Sequence, residues 1–166
     1  MSIRKILDFK HPALRTKAKK VARVDGSAVR LLDDLVETMY AAPGAGLAAN
    51  QIGVALRAIV VKGDENQHHA LINPELVKAE GSQIGYEGCL SYPGWVGEVE
   101  RAEQVVVKGL NRKGKPVRIK ASGFTARAFQ HEIDHLDGIL FTDRLTGLET
   151  LRPAEEYETE LEAVKA

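Results

Sequence analysis

Cysteine is almost absent from this sequence: Cys89 is the only thiol among 166 residues. A single thiol cannot close an internal disulfide, which is typical of proteins from a reducing compartment. Long apolar runs are also missing, because no stretch approaches the roughly 20 apolar residues of a membrane-spanning helix. The N-terminal stretch M-S-I-R-K-I-L-D-F-K-H-P lacks the apolar core of a signal peptide. We therefore expect a cytoplasmic protein with no membrane partner.

An excess of either charge is absent as well. Lys plus Arg number 23 and Asp plus Glu number 23, so the formal net charge is zero. A nucleic-acid-binding domain normally carries a basic face, so we expect no DNA partner. The hydrophobic share of 44% and the charged share of 28% are those of an ordinary globular protein. We expect residues 1–166 to form one domain around a single core.

The first half of the chain combines one helical pattern with several extended ones. Asp25 is a suitable N-terminal cap for a helix whose apolar residues recur at helical spacing over residues 31–40. Residues 57–61 form a short apolar run that favours a strand. Residues 104–110 and 116–121 flank the turn sequence N-R-K-G and predict a β-hairpin.

Two further helices are predicted towards the C-terminus. One covers residues 124–137, with Gly138 in the position that commonly follows a helix end. The other begins with acidic residues and has a stripe formed by Tyr157, Leu161 and Val164. We therefore predict the α+β class, with antiparallel β-sheets packed around a central helix, an N-terminal helix and a C-terminal helix.

The central predicted helix carries the motif H-E-I-D-H. His131 and His135 are four residues apart, so their imidazoles leave the same helix face one turn apart and can converge on one metal ion. Glu132, beside the first histidine, can reach a metal-bound water rather than the metal itself. The alternative is a pair of surface histidines on an amphipathic helix.

A catalytic metal centre of this kind requires a third protein ligand and one open position. Carboxylates follow the motif, among them Asp137, Asp143, Glu149 and Glu155, but none of them stands out. Cys89 is the stronger candidate, because a thiolate with two imidazoles is an established catalytic ligand set and metal binding deprotonates the thiol. A lone cysteine is, however, more often a small buried hydrophobic residue.

Three stretches resemble the peptide deformylase family. They are G-A-G-L-A-A-N-Q at residues 44–51, E-G-C-L-S at residues 87–91 and Q-H-E-I-D-H at residues 130–135. The family patterns G-x-G-x-A-A-x-Q, E-G-C-x-S and H-E-x-D-H match at every fixed position and in the same order. The resemblance covers most of the chain, from about residue 3 to about residue 150.

This resemblance implies an enzyme that removes the N-formyl group from the initiator methionine of newly made peptides and releases formate. It implies that Glu132 is the general acid and base, and that the Gln51 amide and the Leu90 N–H donate to the reacting carbonyl oxygen. Family members hold one divalent metal ion, most naturally Fe(II), with zinc, nickel or cobalt as alternatives. The positions that match the family's metal ligands are Cys89, His131 and His135.

The resemblance also implies where the peptide lies. In the family, the first motif runs extended beside the substrate and bonds to it as in strand addition; here that segment is Gly44, Ala45 and Gly46. Gly88 would let the backbone approach the substrate closely. We expect Phe124 and Ala128 to line an apolar pocket for methionine, although Phe124 could equally be a core residue.

Glu87 and Arg101 are expected to pair and to hold the Cys89 strand from behind the metal ligands. Their alternative is two separate solvated charges. If the pair forms, it supports the ligand set rather than taking part in it.

N-formylmethionyl nascent peptides are the expected partners, and the absence of an organellar presequence favours a bacterial-type enzyme. Some deformylases dock on ribosomal RNA through a basic C-terminal helix, so the ribosome is a candidate partner. The tail of this chain instead carries six glutamates from Glu149 onward against Arg152 and Lys165. Such a tail should repel RNA, so we do not expect that helix to dock there.

Two rival functions have distinct consequences. A metalloprotease of the H-E-x-x-H kind would cleave internal peptide bonds and take its third ligand from downstream of His135. A non-catalytic metal-binding module would normally close its site with four protein ligands.

Overall fold

The protein is described by a computed structural model that covers residues 2–64 and 66–165. Three α-helices and eight β-strands follow one another in the described part of the chain. The helices are α1 (Gly26–Ala41), α2 (Gly123–Leu136) and α3 (Ala154–Lys165). The strands are β1 (Gly46–Ala48), β2 (Ala58–Lys62), β3 (His68–Glu80), β4 (Gln83–Cys89), β5 (Tyr92–Arg101), β6 (Gln104–Leu110), β7 (Pro116–Ser122) and β8 (Arg152–Pro153).

The strands form two antiparallel sheets. The larger sheet has the order β1-β2-β3-β6-β7, so β1 lies at its edge, and the smaller sheet has the order β4-β5-β8. The β6–β7 hairpin pairs Leu110 with Pro116 across the predicted N-R-K-G turn. Strands β3 and β5 are long and partly exposed. Because buried and exposed residues do not alternate regularly along them, the bounds of these strands could not be predicted from an alternation of apolar and polar residues.

Helices α1 and α2 pack on opposite faces of the larger sheet, because side chains alternate along β2. Ile59 and Val61 pack with Phe129 of α2, whereas Ala58 and Val60 pack with the apolar stripe of α1. Both faces of β2 are therefore buried, as its uninterrupted apolar run indicates. Full burial of a side chain such as Phe129 stabilises the fold by roughly 1.5–3 kcal/mol relative to exposure.

The smaller sheet covers the other side of α2, so this helix lies between the two sheets. The residues of β4 that face α2 are Gln83, Gly85, Glu87 and Cys89, at every second position along the strand. Arg127 of α2 reaches the first three of them. After α2 the chain turns at Gly138, whose φ is 75° and where a Cβ would meet the carbonyl oxygen of Arg15 at 2.9 Å.

The predicted fold class is confirmed, including the central helix and the two terminal helices. The apolar stripe predicted for α3 is only partly correct. Tyr157 stacks on Tyr86 with ring centroids 4.5 Å apart, but Leu161 and Val164 are 41% and 86% exposed. In the described part of the chain, none of the helices has the length and apolar character to cross a bilayer.

Candidate metal centre and active site

The end of strand β4 and one face of helix α2 bring together three side chains of the types that bind metals. Cys89 ends β4, next to an irregularity in the β4–β5 pairing between Gly88 and Cys89. His131 and His135 lie one turn apart on α2, with ring centroids 5.0 Å apart. The ligand atoms of Cys89, His131 and His135 all lie within 4.8 Å of one another, and Cys89 Sγ is 3.3 Å from His135 Nε2.

The donor set fits a divalent transition metal ion. One thiolate and two imidazoles suit zinc or iron, and three protein ligands leave a coordination position open. Among the residues that the structure describes, no carboxylate belongs to this cluster. The downstream acids Asp137 and Asp143 are instead paired with Arg57 and Arg15. Cys89 is the residue that lies with the two histidines in this cluster.

Glu87 connects the metal cluster to buried arginines. Its Oε1 lies 2.8 Å from His131 Nδ1, which orients the ring and leaves Nε2 for the cluster. Arg101 donates to both carboxylate oxygens at 2.8 and 2.9 Å, and Arg127 donates at 2.7 Å. Burial alone would raise the pKa of Glu87, but the bonds from Arg101 and His131 outweigh burial and hold it well below its usual range.

The charge network extends further than the sequence indicated. Arg101 also donates to Asp134 at 2.6 Å, and Arg144 reaches the same carboxylate at 3.0 Å. Asp134 received no role from the residue pattern, although it lies inside the H-E-I-D-H motif. Because Asp134 follows His131 by three residues on α2, its side chain could have been predicted to lie beside the cluster.

Glu132 carries a buried carboxyl group, one oxygen of which has no hydrogen-bond partner among the described residues. It is 4% exposed, and its Oε1 has no hydrogen bond within the described part of the chain. Burial raises the pKa of Glu132 to about 7, although the charge of His131 opposes the shift. A carboxyl group with such a pKa exchanges protons near neutral pH.

The pKa values of the two imidazoles are shifted in opposite directions. Burial lowers the pKa of both, and for His135 the charge of His131 lowers it further, to well below its ordinary value. For His131 the negative charge of Glu132 and the bonds to Cys89 and Glu87 outweigh burial and raise the pKa well above its ordinary value.

Gln51 presents its amide nitrogen to the cluster. Its Oε1 accepts from the Ala48 N–H at 2.9 Å, so the nitrogen must point the other way, to Ser91 Oγ at 3.0 Å and Cys89 Sγ at 3.7 Å. Leu90 directly follows Cys89 and lines the same cavity. The structure therefore places the Gln51 amide nitrogen and residue Leu90 beside the cluster of Cys89, His131 and His135.

A cavity of about 500 Å³ opens over the cluster. Every residue predicted to contact substrate lies in its wall, namely Gly44, Ala45, Gly46, Gly88, Phe124 and Ala128. Phe124 is 67% exposed, so it lies at the rim and not in the core. Gly46 lies against Glu132, because a Cβ at this position would be 2.6 Å from Glu132 Oε2.

Several residues that the sequence analysis did not assign to the site also line the cavity. Tyr86 comes from the smaller sheet, and Ala154 and Glu158 come from α3. Nothing in the local sequence of α3 indicates this position, because it depends on the contact between Tyr157 and Tyr86 across 71 residues of chain.

Comparisons with known proteins agree with one another. A family model described as polypeptide deformylase matches residues 3–150. The peptide deformylase of Halothermothrix orenii is 58% identical over 146 residues, which are 87% of this chain and 93% of that protein. A crystal structure of a peptide deformylase from Legionella pneumophila has 44% identity and a TM-score of 0.84, covering 99% of this chain and 96% of that one. A Met-Ala-Ser-bound class I type b peptide deformylase from Acinetobacter baumannii has 34% identity and a TM-score of 0.82, covering 87% and 99%.

Proposed function

The chain belongs to the polypeptide deformylase family, and from this premise we propose which of its residues carry out the family's reaction. It is an enzyme that removes the N-formyl group from newly synthesised peptides. The observation that carries the assignment of roles is the convergence of Cys89, His131 and His135 beside the buried carboxyl group of Glu132, at the base of an open cavity.

The enzyme depends on a metal, and we propose that Cys89, His131 and His135 hold one divalent ion per chain. The set accepts several ions, with Fe(II) as our first choice and zinc, nickel or cobalt as alternatives. Such an ion supplies Lewis acidity and lowers the pKa of bound water towards about 7. Glu87, by holding His131 Nδ1, keeps the other ring nitrogen aimed at the ion.

Glu132 moves the proton. Hydrolysis of a formamide adds water across the C–N bond, so one proton must leave the attacking water and one must reach the departing nitrogen. The carboxylate of Glu132 accepts the first proton and, as a carboxylic acid, delivers it to the amine.

Gln51 and Leu90 stabilise the charge that develops on the formyl oxygen. The Gln51 amide nitrogen faces the cluster because its oxygen is held by Ala48, and the Leu90 N–H follows the Cys89 ligand. Preorganised donors of this kind are worth about 10² to 10³ in rate each.

The peptide binds along the open edge of β1. This strand pairs only with β2 in the larger sheet, so its other edge is available for strand addition. We propose that Gly44, Ala45 and Gly46 form this edge and that Phe124 and Ala128 surround the methionine side chain. The Met-Ala-Ser complex of the Acinetobacter relative supports a methionine at the first position.

The substrates are N-formylmethionyl nascent peptides, so we place the enzyme in a bacterial cytoplasm. We infer no docking of α3 on ribosomal RNA, because its exposed surface is acidic. The metalloprotease alternative is not favoured, since the third ligand comes from β4 rather than from downstream of His135. A closed structural site is not favoured either, since the described residues supply no fourth ligand.

The test is formate release from formyl-Met-Ala-Ser by protein purified without oxygen and loaded with Fe(II). Glu132→Ala should lower kcat by at least 10²-fold, because it removes the proton carrier, while metal content stays at one ion per chain. Glu162→Gln, an exposed position on α3, is the control and should leave kcat unchanged. Fully metallated wild-type protein that releases no formate would contradict the proposal.

A further inference from the structure

The C-terminal helix forms part of the substrate cavity. Ala154 and Glu158, one turn apart on α3, line the same space as the metal ligands and Gly46. Two contacts hold α3 in this position. Tyr157 stacks on Tyr86 with an interplanar angle of 20°, and β8, directly before α3, pairs with Trp95 of β5.

Glu158 is an exposed charged residue of this cavity that has no countercharge among the described residues. Four of the lining residues are charged: Glu87, Arg127, Glu132 and Glu158. Glu87 and Arg127 neutralise each other at 2.7 Å, and Glu132 is buried beside the metal ligands. Glu158 is exposed and has no ion pair within the described residues.

Arg152, the arginine nearest to Glu158 in the sequence, already forms ion pairs with other glutamates. Arg152 bonds to Glu156 at 3.1 Å and to Glu160 at 2.6 Å, and neither glutamate is among the residues that line the cavity. No lysine lines the cavity. A carboxylate without a countercharge attracts a cation that enters its neighbourhood.

We propose that Glu158 selects among formyl peptides, favouring those with a lysine or arginine downstream of the formylmethionine. This inference rests on the proposed function and names a substrate class for the same site. The methionine end of the peptide lies at the metal, between Phe124 and Ala128. The chain then leaves towards the α3 wall, where a long basic side chain meets the Glu158 carboxylate.

The size of the preference follows from the exposure of Glu158. A solvent-exposed ion pair contributes modestly, so kcat/KM should rise about two- to fivefold for a basic over a neutral side chain. The change should fall mainly on KM, because the contact is remote from the reacting bond and is equally present in ground and transition states. It should weaken as salt is raised.

The experiment compares formyl-Met-Ala-Ser with peptides of the same length and longer that place Lys, Gln or Glu at the second, third or fourth position. Formate release is measured for wild type, Glu158→Gln and Glu158→Lys. Glu155→Gln is the matched control, because it removes the same charge from the same helix outside the cavity. We expect wild type and Glu155→Gln to prefer Lys at one position, Glu158→Gln to lose the preference and Glu158→Lys to prefer Glu.

The outcomes separate this inference from the proposed function. If wild type hydrolyses all of the peptides with equal kcat/KM, the selectivity is refuted while deformylation stands. If Glu155→Gln reduces the preference as much as Glu158→Gln, a general effect of the acidic helix is responsible and the role of Glu158 is refuted. If formyl-Met-Ala-Ser itself is not hydrolysed, the proposed function fails first.

Discussion

Gly46 offers a direct test of how closely Glu132 must be positioned. A Cβ at Gly46 would lie 2.6 Å from Glu132 Oε2, 2.9 Å from Cγ and 3.0 Å from Cδ. Cβ atoms essentially never come closer than 3.0 Å to such neighbours, so the carboxyl group must move in Gly46→Ala. The backbone of Gly46 does not have positive φ, so the substitution adds a contact without adding backbone strain.

The required displacement sets the expected magnitude. The closest contact is about 0.8 Å shorter than the 3.4 Å at which ordinary van der Waals contact begins. A misplacement of about 1 Å in a reacting group costs on the order of 10²-fold in rate. We therefore expect kcat of Gly46→Ala to fall about 10²-fold. Metal content should stay unchanged, because the three heavy atoms nearest to the added methyl group all belong to Glu132 and none to Cys89, His131 or His135.

The assay is formate release under oxygen-free conditions, with metal content measured on the same sample. Gly63→Ala is the control, because its Cβ would crowd a histidine, His69 Nε2, at 3.0 Å, outside the substrate cavity. A general cost of crowding would appear in both variants as a lower melting temperature, whereas only Gly46→Ala should lose kcat. A kcat within threefold of wild type would refute the requirement for a closely positioned Glu132.

Two further predictions concern charges outside the reaction itself. Arg101→Met should lower the free energy of unfolding in urea by about 3–5 kcal/mol and weaken metal binding 10- to 100-fold, because it leaves Glu87 and Asp134 with fewer partners; a loss below about 1 kcal/mol would contradict this. Asp143→Asn should cost about 0.5–1 kcal/mol at pH 7, discounted for solvent screening. The bond from Arg15 lowers the pKa of Asp143, so this stability is present above about pH 4 and disappears as pH falls through the folded pKa. Urea curves at pH 7 and pH 3 that differ from wild type by the same amount would refute it.

Local geometry made part of the site predictable. His131 and His135 face the same way because helical spacing requires it, whatever the rest of the fold does. Asp25 caps α1 by accepting from the Ala28 N–H at 3.0 Å, a contact within one turn of the chain. The β6–β7 hairpin follows from its turn sequence. Such features depend on residues that are close in sequence.

The rest depends on contacts between distant segments. From residue types alone, Cys89 was a stronger candidate for the third ligand than the downstream carboxylates, but a buried thiol that binds no metal was the alternative. The family resemblance was needed to prefer the ligand role. In the structure, β4 presents Glu87 and Cys89 on one face because strand side chains alternate, so one strand supplies both a ligand and the carboxylate that orients His131. The position of β4 over α2 was not predictable, because sheet pairing and layer packing join residues more than 40 positions apart.

By itself, the sequence determined the α+β class, the histidine pair with its adjacent glutamate and the family to which these motifs belong. Only the tertiary structure decided that Arg101 joins Glu87 to Asp134, that Phe124 lies at a rim rather than in the core, and that α3 closes one side of the substrate cavity with Glu158. The physical reason is that helix and turn preferences act over a few residues. The pairing of buried charges and the docking of a helix depend on the free energy of the whole packed arrangement.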